Sequence, residues 1–133
     1  MCKSFVHLHN HTEYSMLDGA NRVSDLIKQA EKFEMESMAI TDHGVMFGAM
    51  EFYMEAKKKG VKPILGVEAY VAPSGISARG GKGDREAFHL VLLAKDLEGY
   101  RNLCKISTIA ALEGYYYKPR IDHEILRKHA KGV

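Results

Sequence analysis

Ser37-Met38-Ala39-Ile40-Thr41-Asp42-His43-Gly44 is the stretch from which the fold class follows. A short apolar run stops in a polar turn, and the sequence on both sides of it carries helical spacing. Upstream, Val23, Leu26, Ile27, Ala30 and Phe33 recur at intervals of three and four, with Asn21 placed to cap the helix they define. Downstream, a second helix is predicted over 46–59, stopping at Gly60, a residue that readily takes the left-handed conformation ending many helices. Pro63-Ile64-Leu65-Gly66-Val67-Glu68-Ala69-Tyr70-Val71 follows as a strand and gives way at Pro73. Strands alternating with helices are the mark of parallel βα units, since parallel neighbours need a crossover to return the chain to the same edge.

The alternation extends outward. Phe5-Val6-His7-Leu8-His9 reads as an opening strand. Residues 74–85 are rich in Gly, Ser and charge without periodicity, and are predicted to form a flexible surface loop. His89-Leu90-Val91-Leu92-Leu93-Ala94 is almost continuously apolar, the pattern of a strand buried on both faces. Leu97, Tyr100, Leu103, Cys104 and Ala111 define a helix with Asp96 as its cap, and Asp122 caps a last short helix through Lys131. The predicted class is therefore α/β, with parallel strands alternating with helices. Four strands cannot close a barrel, and the sequence stops after a helix where a further strand is expected. The whole of 1–133 is accordingly read as one partial domain.

Composition supports an ordinary globular chain: 46% hydrophobic, 27% charged, net charge +2 over 133 residues. That charge is too small to argue for nucleic-acid binding by itself. No apolar run reaches bilayer length and no secretory leader precedes the first strand, so the expected location is cytoplasmic, with no membrane partner. Cys2 and Cys104 have neither zinc-ligand nor disulfide-framework spacing.

The seven histidines are the unusual feature. In parallel α/β folds, functional residues leave the C-terminal ends of strands. His9 and His11 follow the first predicted strand, Asp18 lies in the loop after it, Asp42 and His43 follow the second, Glu68 lies late in the third, and His89 opens the fourth. Strand alternation puts His7, His9 and His11 on one side. Imidazole with carboxylate and without thiolate suits Zn²⁺, Mn²⁺ or Fe better than Ca²⁺. His123, His129 and Lys57-Lys58-Lys59 are expected to be solvated, and Tyr115 to Tyr117 to pack at the rim, with stacking on single-stranded DNA as the alternative.

His7-Leu8-His9-Asn10-His11-Thr12-Glu13-Tyr14-Ser15-Met16-Leu17-Asp18-Gly19 resembles the first motif of the PHP (polymerase and histidinol phosphatase) family, and Ala39-Ile40-Thr41-Asp42-His43-Gly44 resembles its second. Four further segments narrow the resemblance to the branch found at the N-terminus of bacterial replicative DNA polymerases. These are Gly48-Ala49-Met50-Glu51-Phe52-Tyr53, Lys62-Pro63-Ile64-Leu65-Gly66-Val67-Glu68-Ala69-Tyr70-Val71-Ala72-Pro73, His89-Leu90-Val91-Leu92-Leu93-Ala94-Lys95 and Glu113-Gly114-Tyr115-Tyr116-Tyr117-Lys118-Pro119-Arg120-Ile121-Asp122.

The resemblance implies the first half of a distorted (β/α)₇ barrel. It implies metal ligation by His9, His11, Asp18, His43 and His89, with Glu68 bridging and with Asp42 and His7 as outer partners. A complete family site holds up to three divalent transition metals and draws a further His or Cys and an Asp-x-His pair from later strands. This sequence contains no such pair, so fewer ions and little or no catalysis by this chain alone are expected.

In function, the resemblance implies a metal centre for phosphoester hydrolysis of the 3′–5′ exonuclease (proofreading) kind within a replicative polymerase. The expected partners are DNA and the other polymerase holoenzyme subunits, and the chain is expected to self-associate. No nucleotide-adding chemistry is implied for these residues. A stand-alone phosphoesterase of the histidinol phosphatase type and a non-catalytic structural module are the alternatives.

Overall fold

The computed structural model describes residues 5–16, 18–81 and 83–133; Cys2, Leu17 and Lys82 lie outside them. Strand β1 (Ser37–Ile40) pairs in parallel with β2 (Lys62–Val71) through the register Ser37↔Lys62 to Ile40↔Leu65. The intervening chain carries helix α2 (Ala49–Lys58), preceded in sequence by α1 (Val23–Lys32). This is the expected βαβ unit.

Its core follows from spacing. Val23, Ile27 and Ala30 of α1 and Phe52 and Ala56 of α2 are buried with Met38 and Ile40 of β1 and Val61. Burying a side chain such as Phe52 contributes about 1.5–3 kcal/mol relative to leaving it in water. The last turn of α2 carries Lys57 and Lys58, which favour the negative end of the helix dipole, and Gly60 follows at φ 73°.

The second half departs from the expected parallel order. Strand β3 (Phe88–Leu93) runs antiparallel to β2, with Glu68 opposite Val91 and Tyr70 opposite His89. The described residues of the 72–87 connection contain no helix to carry the chain back, and β3 runs in the reverse direction. Nor is β3 buried on both faces: Phe88, His89 and Leu90 are exposed, and the later residues only half-buried.

Helix α3 (Leu97–Leu112) begins where expected, with the Asp96 carboxylate accepting from the Gly99 N–H at 2.9 Å. A two-residue strand that the sequence does not advertise, β4 (Arg120–Ile121), pairs in parallel with Tyr70 and Val71 of β2. Asp122 then caps α4 (His123–His129) through the N–H groups of Glu124 and Ile125. Alternation along β2 turns Val67, Ala69 and Val71 toward a second core with Leu103, Ile106, Ala110, Ile121 and Ile125. The opposite face of the same strand carries Glu68 and Tyr70.

Two further expectations are corrected. The segment Phe5-Val6-His7-Leu8-His9 is not a strand, although it lies beside β1. One backbone bond joins them, Ala39 N–H to His7 O, and a second follows just beyond both, Thr41 N–H to Asn10 O, each 2.9 Å. Between them the Asn10 side-chain amide takes the carbonyl of Ala39 at 3.0 Å, where a regular ladder would place main chain. Asn21 does not cap α1. Its amide donates to the His11 carbonyl at 3.0 Å, and the capping position falls to Arg22, which makes no side-chain cap.

Among the described residues of 74–85 there is no helix or strand, as expected, and β4 supplies hydrogen bonds to the loop. The Arg120 guanidinium, only 1% exposed, donates to the carbonyls of Ile76, Ala78 and Asp84 at 2.8–3.3 Å.

Candidate metal centre

The site is built where β1 and β2 run out side by side. After Ile40 the parallel pairing continues as a bridge between His43 and Glu68. Glu68 N–H donates to Asp42 O at 3.0 Å and Gly44 N–H to Glu68 O at 2.9 Å, so both backbones are fixed. The carboxylate of Glu68 projects from the polar face of β2 and the residue is 3% exposed. Such a group is costly to bury unless its charge is answered.

Four imidazoles answer it. His9 Nε2 contacts Oε2 closely, and His11 Nε2 lies 3.0 Å from the same oxygen. On the other oxygen, His89 Nδ1 lies 2.5 Å from Oε1 and His43 Nδ1 3.7 Å from it. The ligand atoms therefore form two groups sharing one carboxylate, His9, His11 and Glu68 on one side and His43, Glu68 and His89 on the other. Burial by itself would push the Glu68 carboxyl up, but hydrogen bonds from His9 and His89, with the charges of His43 and His9, hold it below the ordinary value.

Asp42 organises two of these rings without touching them. Buried to 1% exposure, it accepts from Thr12 N–H at 2.6 Å, Thr12 Oγ1 at 2.8 Å and Ser15 Oγ at 2.9 Å. Ser15 Oγ, having donated its only proton to Asp42, can otherwise only accept. It does so from His43 N–H at 3.1 Å and from His11 Nδ1 at 3.0 Å. Hence His11 carries its proton on Nδ1, and Nε2 presents a lone pair to the cluster. Burial first, then neighbouring His43, keeps the His11 pKa below its usual value and favours that neutral form. Ser15 was not singled out by sequence. It lies four residues after His11, in a 3₁₀ turn (Glu13–Ser15) whose function only the contact reveals.

The donor set fits a cation. His11 Nε2 lies 3.1 Å from His9 Nε2 and 3.0 Å from a carboxylate oxygen, so three potential ligand atoms converge on one point. On the other side, His43 Nδ1 is buried with no hydrogen-bond partner among the described residues. A divalent metal between these atoms would satisfy all of them.

Not every expected residue joins the two groups. Asp18 contacts His43 on Nε2, the nitrogen facing away from Glu68, and so reaches the centre only through that ring. His7 sits edge-on to Phe5, ring centroids 4.7 Å apart, and belongs to neither group. His89, which begins its strand, belongs fully, because the antiparallel direction of β3 brings its first residues beside the end of β2. Tyr70 closes the site on the same face. Its ring stacks on His43 with a 12° interplanar angle and meets His89 edge-on.

A model of the PHP domain matches residues 7–133. The chain belongs to the PHP domain family. Among curated relatives of this PHP chain, DNA polymerase III subunit alpha of Helicobacter pylori is 50% identical over 131 residues, and that of Thermus aquaticus 54% identical over 133. These matches cover 98% and 97% of the PHP chain but only 11% of either relative. Solved structures with a similar fold include an amidohydrolase from Chromobacterium violaceum, solved with sulfate and no metal, at a TM-score of 0.57 and 27% identity over 80% of this chain and 33% of that one. A Bifidobacterium adolescentis protein described as a metal-dependent phosphoesterase matches with the same TM-score at 21% identity, over 79% of this chain and 32% of its own.

Proposed function

We propose that this chain is PHP-domain sequence of a bacterial DNA polymerase III alpha subunit, and that its centre serves phosphoester hydrolysis of the 3′–5′ exonuclease kind. The observation that carries the centre is Glu68, whose two oxygens each face a separate pair of imidazoles. The relatives supply the polymerase context. DNA, the other polymerase III holoenzyme subunits and a cytoplasmic location are part of the same proposal. No helix among the described residues is long and apolar enough to cross a membrane.

The residues that would hold metal are His9 and His11 on one side and His43 and His89 on the other, with Glu68 between. Asp18 supports His43 and would become a direct ligand only if its side chain turned inward. Asp42 and Ser15 fix the rings. Zn²⁺, Mn²⁺ or Fe suits such a nitrogen-rich set. Bound cations of this kind polarise a phosphoryl oxygen and lower the pKa of water to near neutrality. The part played by these residues is to keep imidazole lone pairs turned inward and a carboxylate ionised where positive charge collects.

A titration with Mn²⁺ or Zn²⁺ tests the reading. Two ions are expected per chain, with both lost in Glu68→Gln. A nuclease assay on the 133-residue chain should give slow hydrolysis or none, because the Asp-x-His pair of the complete family site is not in this sequence. Rapid hydrolysis abolished by His11→Ala would show that the residues here suffice. Metal binding that Glu68→Gln leaves intact would instead favour a structural module.

A further inference from the structure

We propose that Lys118, Tyr117 and Arg85 form an arm for single-stranded nucleic acid at the rim of the metal centre. The inference rests on the phosphoester reading above and assigns the residues that would hold the strand beside it.

The loop between α3 and β4 is seated directly on the centre. Gly44, next to His43, has φ 65°, and a Cβ there would lie 2.7 Å from Pro119 Cγ and 3.1 Å from Tyr70. Pro119 can therefore approach the metal-bearing turn only because residue 44 has no side chain. Immediately before it, Lys118 Nζ stands 4.5 Å from the centroid of Tyr70, the ring that stacks on His43. Among the described residues no carboxylate pairs with Lys118. An ammonium one ring away from a metal cluster, without a counter-ion, is placed for the phosphate of a bound strand.

Tyr117 adds the second element. It is a non-glycine residue at φ 62°, and its side chain is turned outward, 58% exposed. Left-handed conformation in an aromatic residue costs about 1–3 kcal/mol and persists where surrounding structure holds it, often at ligand sites. Here the hold is visible: Tyr116 N–H donates to Lys118 O at 3.0 Å, and Tyr116 itself packs against the buried Arg120 guanidinium, 5.0 Å from its centroid. Tyr117 is thus presented to solvent while its neighbour is anchored. Arg85, from the facing loop, lies 4.2 Å from the Tyr117 ring centroid, and Arg79 joins the same two loops by donating to Glu113 O at 2.8 Å. An exposed ring with a guanidinium against it, next to a free ammonium, is the pairing of stacking platform and phosphate contact by which single strands are bound without base readout. Neither a lipid surface nor an acidic peptide would call for a stacking ring at that point.

Fluorescence anisotropy with a 5′-labelled oligothymidylate tests the arm on the full 133-residue chain in buffer containing a metal chelator, so that the cluster does not contribute. Tyr117→Asn removes the ring while suiting the left-handed backbone, and should weaken binding about 5- to 150-fold, with Tyr117→Phe restoring it. Lys118→Gln should weaken binding and lower the slope of log affinity against log salt by about 0.7, one phosphate contact to a single strand, with Lys118→Arg restoring it. Parent and variants binding alike, or no binding by the parent, would overturn the proposal. A loss in Lys118→Gln without one in Tyr117→Asn would also overturn it, leaving a bare anion site. Metal titration of the same proteins separates the two readings: failure to bind metal refutes the centre without touching the arm, and failure to bind oligothymidylate refutes the arm without touching the centre.

Discussion

Replacing Ser15 by alanine removes one hydroxyl that serves three groups: it donates to Asp42 and accepts from the His43 backbone and the His11 ring. Without it, His11 Nδ1 loses the partner that fixes its tautomer, and the buried Asp42 keeps only its bonds from Thr12. Outer partners of this kind are worth about 10–100-fold in metal affinity or activity. Ser15→Ala should show a loss of that size by titration calorimetry, with a stability loss of about 1.5–3 kcal/mol for the hydrogen bond to the buried carboxylate that is removed. Unchanged metal affinity would mean the rings are held by packing alone, through the His11–His43 stack at 4.2 Å. The histidines themselves were legible because their chemistry is in the side chain. Ser15 was not, because a serine becomes a positioning group only through what lies beside it.

At the scale of elements, β4 and the turn into α4 hold the 74–85 loop. Arg120 binds three of its carbonyls, and Asp122 Oδ2 accepts from Ile76 N–H at 3.2 Å. Arg120→Met keeps apolar bulk but leaves those carbonyls without a donor, at about 1–3 kcal/mol for each that stays buried. Urea denaturation should show the loss, and limited proteolysis should open a cut within 74–85 that the parent resists. An uncut variant of parental stability would show the loop to be held otherwise.

Asp122 adds a pH dependence. Burial alone would raise its pKa, but N–H bonds from Ile125, Ile76 and Glu124 outweigh burial and lower it beneath the ordinary 3.8. A depressed carboxyl stabilises the fold above its unfolded pKa, and that contribution disappears as pH falls through the folded value. The thermal midpoint should therefore drop below about pH 4, and the drop should shrink in Asp122→Asn, whose amide still caps but does not titrate. Equal acid sensitivity in the variant would place the titration elsewhere.

For the whole molecule, the consequence of this architecture is uncovered apolar surface. Phe47, Met50, Met54 and Leu97 are each at least 60% exposed, and β3 has no strand on its outer side among the described residues. Isolated edges and contiguous apolar patches favour association. Light scattering at rising concentration is expected to show self-association of the 133-residue chain, weakened by Met50→Lys with Leu97→Lys. A concentration-independent monomer would mean the surface is tolerated in water.

The sequence by itself determined the βαβ unit, the helix α1 face of the first core and the caps at Asp96 and Asp122, because periodicity and capping are local properties that a linear string carries; the second core, where Ile106, Ala110 and Ile121 replace most of the expected α3 face, it did not. It also determined which side chains have metal-binding chemistry. The direction of β3 was decided in the tertiary structure, since residues 88–93 by themselves suit a parallel or an antiparallel neighbour, and that reversal is what brings His89 to Glu68. It decided that Asn10 would interrupt the ladder beside β1 and that a buried Arg120 would tether a glycine-rich loop. It also turned Asp18 to the far nitrogen of His43. In each case the outcome depends on partners at least 21 residues away in the sequence, whose approach no short pattern encodes.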